Sequence, residues 1–114
     1  MSKRTMYISI PMAGYDELMQ RNRAKFWQRY WELLGYEVVN PFELGDLLKA
    51  SYLNITGKEP TYAEYLHEDL INLEFCSDIF MCNGWTNSYG CMEKCDKSIV
   101  HNIQFHFESK IKIQ

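Results

Sequence analysis

One acidic side chain follows a loop of small polar residues in the last third of the chain. The loop runs from Asn83 to Gly90, and Glu93 stands just after it, with Lys94 next, at the start of a predicted helix. A carboxylate at this place could act as a catalytic nucleophile. It could also do no more than complement the positive end of the helix dipole, an interaction worth under about 1 kcal/mol. The residues alone leave both interpretations of Glu93 open.

The loop itself has a composition suited to anion binding. Asn87, Ser88 and Gly90 are small or polar, and free backbone N–H groups ahead of a helix attract an oxyanion. Trp85 could stack on a base or could cover the edge of a sheet. Lys94 could hold a phosphate as a point charge. The loop therefore predicts a ligand site in front of this helix.

Alternating strands and helices must position the loop. Apolar, β-branched and aromatic stretches predict strands over 5–11, 36–39, 77–83 and 103–108. Four helices are predicted. The first begins at Glu17 and is capped by Asp16, and the second covers 42–53. The third begins at Thr61, where Glu64 completes a capping box, and the fourth covers 91–101. This order predicts an α/β fold with a mainly parallel sheet of about four to five strands between two layers of helices. Such sheets bind ligands beyond the carboxyl ends of their strands.

Helical spacing also predicts which side chains are buried. In the first helix the recurring apolar positions are Leu18, Phe26, Tyr30 and the pair Leu33 and Leu34. In the helix after Thr61 they are Leu66, Leu70 and Leu73. Eight tyrosines and three tryptophans exceed what one small core readily buries. We therefore expect Trp27, Tyr30 and Trp31 to be exposed, where they could form a subunit interface.

Composition limits the class of protein. The 114 residues are 46% hydrophobic and 24% charged, which suits a single domain spanning residues 1–114. A net charge of −3 gives no electrostatic case for a nucleic acid or an anionic membrane as partner. The N-terminal stretch predicts neither a signal peptide nor a membrane span. We expect a cytoplasmic protein.

Four cysteines raise the question of a metal site. Cys91 and Cys95 are four residues apart on a predicted helix, while Cys76 and Cys82 flank a predicted strand. No Cys-x-x-Cys pair occurs, and the three histidines are scattered. The spacing favours reduced structural thiols over zinc ligands.

Seven short motifs in order carry a resemblance to a known family. They are YISIPMAG, NRAKF, LGYEVVNP, YLHEDL, CSDIF, GWTNSYG and IQFHFE, and they cover the chain apart from about residues 45–60. With them the chain resembles the nucleoside 2-deoxyribosyltransferase superfamily. It is closer still to a branch of small, mostly uncharacterised bacterial and phage domains related to those enzymes.

The resemblance implies a flavodoxin-like, three-layer fold that handles a nucleoside or nucleotide. Its relatives split the bond between a base and a deoxyribose. A glutamate attacks the sugar and a second acid protonates the base, as in a retaining glycosidase. The resemblance also implies that no metal or redox cofactor is needed and that the protein is a homo-oligomer, a dimer or larger.

Roles transfer to individual positions by the same resemblance. Tyr7 corresponds to a tyrosine beside the nucleophile, Ser9 lies in the same motif, and Asp69 matches the acid that assists at the base. Asn87, Ser88 and Gly90 match the loop that grips sugar or phosphate, and Asp78, Asn22 and Arg23 match further family positions. Ile10 is a departure, because the family usually has glycine there.

The register of the proposed nucleophile is the main difficulty. Relatives have their glutamate four residues after the loop glycine, and the fourth residue after Gly90 is Lys94. Glu93 lies one residue early, which is about 100° around a helix.

Two functional hypotheses follow. The first is an N-glycosidase or deoxyribosyltransferase with Glu93, Asp69 and Tyr7 as catalytic residues. The second is a nucleotide-binding module of the same fold without the chemistry.

Overall fold

A computed structural model of the chain describes residues 3–112. Its strands are β1 (Thr5–Ser9), β2 (Glu37–Val39), β3 (Asp78–Met81) and β4 (Gln104–Phe107). Its longer helices are α1 (Glu17–Leu33), α2 (Pro41–Thr56), α3 (Tyr62–Glu74) and α4 (Tyr89–Val100). Each predicted element is present, but α2 extends to Thr56, into the stretch expected to be a loop, and ends at Gly57 with φ at +75°.

The sheet has four strands in the order β2-β1-β3-β4, and all neighbouring pairs are parallel. Tyr7 in the centre of β1 lies beside Val39 of β2 and Ile79 of β3. The predicted parallel sheet and flavodoxin-like layering are confirmed. The order of strands reverses between β1 and β3, so the loops that follow these two strands meet at the place where such sheets bind ligands.

Local sequence explains where the helices begin. The Asp16 carboxylate accepts a hydrogen bond from the Met19 N–H at 2.9 Å, which caps α1. Thr61 and Glu64 form the predicted capping box of α3, at 2.8 and 3.2 Å. Within residues 3–112, every helix is too short or too polar to cross a membrane.

The buried face of α1 differs from the predicted one. Gln20, Ala24, Trp27 and Trp31 are buried, whereas Leu18, Phe26 and Leu33 are exposed. Both sets recur at helical spacing, and the face that carries Trp27 and Trp31 is the one that packs on the sheet. The Trp27 and Trp31 rings lie 4.7 and 5.3 Å from the Phe80 ring. The prediction that Trp27 and Trp31 are exposed interface residues is therefore wrong, and Tyr30 is half-buried against the same core.

The two faces of β1 differ in polarity. Met6, Ile8 and Ile10 point into the apolar core under α1. Tyr7 and Ser9 point the opposite way, because side chains alternate along a strand. Tyr7 belongs to the second core, with Leu73 of α3 and Cys91 of α4. The polar side chains of β1 thus face α3 and α4, and Ile10 lies on the other side of the sheet from them.

Candidate functional site

The loops after β1 and β3 are packed against each other. Gly84 has φ at +93°, a conformation that side-chain-bearing residues rarely adopt. A Cβ at this position would lie 2.7 Å from the Tyr15 hydroxyl and 3.3 Å from Pro11 Cγ. Glycine is therefore required both by the backbone conformation and by the close approach of the two loops.

A chain of hydrogen bonds fixes these loops to α1 and to the end of β4. Gln20 is buried and donates to the Pro11 carbonyl at 2.6 Å. One carboxylate oxygen of Glu108 accepts from Arg23 at 3.1 Å and from the Asn83 N–H at 2.9 Å. Sequence reasoning did not find Glu108, since an acidic residue after a last strand carries no signal of its partner. Arg23, which matches a family position in the resemblance, is held by Glu108 and Gln20.

A buried polar cluster, which we define as Tyr7, Ser9, Asp69 and Lys94, lies between β1 and the helices α3 and α4. The Lys94 ammonium is 3.5 Å from an Asp69 carboxylate oxygen, and these side chains are only 5% and 15% exposed. The same ammonium lies 5.2 Å from the centre of the Tyr7 ring. Helix α4 therefore presents Lys94 to β1, at the position where the resemblance expects the nucleophile.

One hydroxyl of the cluster lacks a partner and a second has a weak one. Ser9 Oγ is fully buried and makes no hydrogen bond to any described residue. Tyr7 Oη is equally buried and lies near the Asp69 carboxylate, without a well-aligned hydrogen bond to it. Lys94 can donate three hydrogen bonds, and its nearest acceptor is Asp69, at 3.5 Å. Buried polar groups are normally satisfied, so unpartnered ones within one cluster call for an explanation.

Glu93 is not part of this cluster. It is half-buried, and its carboxylate raises the pKa of Tyr89 by hydrogen bonding with that exposed residue. Lys94, the next residue of α4, lies over the Tyr7 ring instead. The structure therefore brings Tyr7, Asp69 and Lys94 together, with Ser9 on the same face of β1 as Tyr7, and leaves Glu93 beside Tyr89.

The loop residues take several different roles. Ser88 is the N-cap of α4 and accepts a hydrogen bond from the Cys91 N–H at 3.3 Å. Asn87 is exposed and Gly90 is half-buried, next to the Tyr62 hydroxyl. The Trp85 ring lies 5.9 Å from the Phe107 ring, so it covers the β4 side of the sheet while remaining half-buried.

Comparison with known proteins places the chain in a family. The family described as "Domain of unknown function (DUF4406)" matches residues 4–106, and this range contains every residue of the polar cluster. The chain belongs to the DUF4406 family. Among curated proteins, no sequence matches it. The family description names no activity, so the resemblance of this DUF4406 domain to nucleoside 2-deoxyribosyltransferases stays a prediction.

Burial dominates the electrostatics of the cluster in this DUF4406 domain. Burial raises the pKa of Tyr7 well above its ordinary value, and the nearby Asp69 charge raises it further. Burial also raises the pKa of Asp69, although the Lys94 charge acts in the opposite direction. Asp69 thus takes up a proton more readily than an exposed carboxylate does, and Tyr7 stays protonated at neutral pH.

Asp78 has a structural role. It is fully buried, and its carboxylate contacts Arg4 at 2.6 Å and His106 at 2.7 Å. This ion-pair group lies at the start of β3, at the opposite end of the sheet from the loops that follow β1 and β3. Among residues 3–112, no three His, Cys, Asp or Glu side chains are grouped as metal ligands would be.

Two surface grooves of the DUF4406 domain lie apart from the cluster. A groove of about 380 Å³ separates α1 from the start of α2. A second groove, of about 200 Å³, runs along β4. Asn22 lines the larger groove together with the Arg21–Asp46 ion pair, whose two hydrogen bonds are both 2.9 Å long. Neither groove is lined by a residue of the polar cluster.

Proposed function

We propose that this DUF4406 domain is a nucleoside- or nucleotide-binding module whose ligand contacts the polar cluster and the loop after β3. The observation that carries the proposal is that Lys94, and not Glu93, faces Tyr7 and Asp69. An ammonium cannot act as the nucleophile at an anomeric carbon, but it can donate hydrogen bonds to a sugar or a phosphate. The arrangement therefore favours binding over glycosyl transfer.

The unpartnered groups support a polar ligand. A buried donor or acceptor without a partner costs about 1–3 kcal/mol. Ser9 Oγ lies buried without a partner among the described residues, and Tyr7 Oη has only the Asp69 carboxylate near it. A ligand rich in hydroxyl and carbonyl oxygens would supply the missing partners. The exposed amide of Asn87 and the half-buried indole of Trp85 are close in sequence and suited to the rest of a nucleotide.

Glycosyl transfer remains a second candidate because of Asp69. Its raised pKa and its place beside Tyr7 match the acid that protonates a departing base. The reaction also needs a carboxylate nucleophile, and Glu93 would have to turn from the Tyr89 side of α4 toward Tyr7. We retain this candidate for direct test, with Glu93, Asp69 and Tyr7 in the roles set out above.

The binding proposal is tested by thermal unfolding with the common nucleosides and their 5′-monophosphates. We expect at least one to raise the melting temperature of the wild-type protein and of Glu93→Gln, and to have little effect on Lys94→Met. Lys97→Met is the matched control, since Lys97 lies on the same helix and pairs with Glu74 instead. The proposal fails if no nucleoside or nucleotide shifts the wild-type transition.

A base-release assay decides between the two candidates. Incubation with deoxynucleosides, deoxynucleotides and their ribose counterparts, followed by chromatography, would detect free base. We expect none above the uncatalysed background. If base is released by the wild type and not by Glu93→Gln, while that variant still binds ligand, the protein is a glycosidase. The proposal of a binding module without catalysis is then wrong.

Two broader expectations belong to the same proposal. A homo-oligomer is proposed from the family resemblance and from exposed apolar residues such as Leu18, Phe26 and Leu33 on α1. A cytoplasmic location is the expectation stated above. Light scattering would measure the oligomeric state. Fractionation of cells that express the protein would determine its location.

A further inference from the structure

The charge of the polar cluster limits the part of a nucleotide that fits it. Lys94 and Asp69 together carry one positive and one negative group, and they face each other at 3.5 Å. A phosphate needs an excess of positive charge at close range. Here the carboxylate cancels the ammonium and would itself repel a phosphate. The chemical group that meets this pair is therefore uncharged.

The pair offers a donor and an acceptor side by side. An ammonium only donates hydrogen bonds and a carboxylate only accepts them. A hydroxyl both donates and accepts, and two adjacent hydroxyls span two neighbouring polar groups. A carboxylate also binds a ribose hydroxyl in the dinucleotide sites of related open sheets. Asp69 is the more exposed of the two side chains, although both are largely buried.

We propose that Asp69 and Lys94 bind the 2′,3′-diol of a ribose, so that the domain selects ribonucleosides or ribonucleotides over their 2′-deoxy counterparts. This inference rests on the proposed binding function and narrows its ligand class. The deoxyribose expected from the resemblance lacks one of the two hydroxyls. With it bound, a donor or an acceptor of the pair stays buried without a partner.

The expected discrimination follows from that missing partner. Sites that hydrogen-bond a substrate hydroxyl reject the analogue that lacks it, because their own polar groups are then left unpaired. The cost of an unpaired buried group corresponds to a factor of about ten or more in the dissociation constant. Asp69→Asn and Lys94→Met should each bring the ratio of the deoxyribose to the ribose dissociation constant closer to one. Lys97→Met should leave that ratio unchanged.

Calorimetric titration of the full chain with matched ligands tests the inference. The ligands are the four common ribonucleosides, their 2′-deoxy counterparts, 3′-deoxyadenosine, and the free bases. Tighter binding of a ribonucleoside, by about tenfold or more over both deoxy forms, supports the diol site. The wild-type comparison does not depend on any variant remaining folded.

The other outcomes separate this inference from the proposed function. Equal affinity for ribose and deoxyribose forms, or a preference for deoxyribose, overturns the diol site and leaves the binding module standing. A free base that binds as tightly as its nucleoside also overturns it, since the pair would then contact the base. No binding by any of these ligands or their monophosphates ends both proposals.

Discussion

Lys94 and Asp69 face each other from two different helices, with 3.5 Å between the ammonium nitrogen and a carboxylate oxygen. The pair joins α4 to α3 over the polar face of β1. Removing two charges from water is costly, so a buried ion pair is weak evidence for a contribution to stability. The buried Ser9 hydroxyl on the same face of β1 has no partner among the described residues, and the ligand proposed above would account for both features.

Substituting Lys94 by methionine should change the titration of Asp69. The Lys94 charge lowers the pKa of Asp69 against the larger effect of burial. Lys94→Met should therefore raise the pKa of Asp69 further, as measured by NMR titration of the side-chain carboxyl carbon. Lys97→Met should leave Asp69 unchanged and raise the pKa of Glu74, which Lys97 lowers. An Asp69 pKa that stayed constant in Lys94→Met would contradict the ion pair.

The same substitution has a consequence for stability. Because the folded-state pKa of Asp69 lies above its ordinary value, the folded protein binds this proton more tightly than the unfolded chain. The free energy of unfolding contributed by Asp69 therefore falls as the pH rises from the ordinary value to the folded-state value. In Lys94→Met this fall should extend to higher pH, as urea unfolding at a series of pH values would show.

The layout of the fold could be predicted from local patterns. The capping residues Asp16 and Thr61 mark helix starts, and Ile79 with its neighbours forms a continuous apolar run typical of a central parallel strand. These signals act over a few residues, so one sequence is enough to find them. They also predicted that the loop after β3 lies at the carboxyl edge of the sheet, where open sheets of this kind bind ligands.

The orientation of individual side chains was harder to predict. On α1, two apolar stripes compete, and only packing against Phe80 shows that Trp27 and Trp31 face inward. On α4, Glu93 and Lys94 are adjacent, and their orientation depends on where the helix begins, which is at Tyr89. Glu108 contacts residues far away in sequence, which no local pattern reveals.

The inward face of α1 can be tested by truncating neighbouring aromatic residues. Trp27 is 5% exposed and Phe26 is 53% exposed. Trp27→Ala should reduce the free energy of unfolding by about 3–5 kcal/mol, because it leaves a cavity beside Phe80. Phe26→Ala should change it by about 0.5 kcal/mol or less in the monomer. Chemical unfolding of both variants would check this, and equal losses would contradict the observed orientation.

The ion-pair group at the start of β3 should contribute more to stability than an exposed pair does. Asp78 is fully buried and contacts Arg4 and His106. Asp78→Asn should cost about 1.5–3 kcal/mol, the range for hydrogen bonds to charged groups. Asp46→Asn is the control, since Asp46 forms its pair with Arg21 at the surface, where such pairs contribute about 0.2–1 kcal/mol. Urea unfolding would compare them, and a larger loss for Asp46→Asn would refute the ranking.

Glu108 should control the mobility of the loop that follows β3. Its carboxylate accepts from the Asn83 N–H at 2.9 Å and pairs with Arg23 at 3.1 Å. Glu108→Ala removes both bonds, so the Asn83 amide should exchange its hydrogen faster, by about tenfold or more, since one bond to a charged group is worth about 1.5–3 kcal/mol. Glu59→Ala, which removes an exposed partner of Lys49, should not alter that amide. Hydrogen exchange followed by NMR measures both variants. An Asn83 amide equally protected with and without Glu108 would mean that the loop is held by its contact with Tyr15 and Pro11 instead.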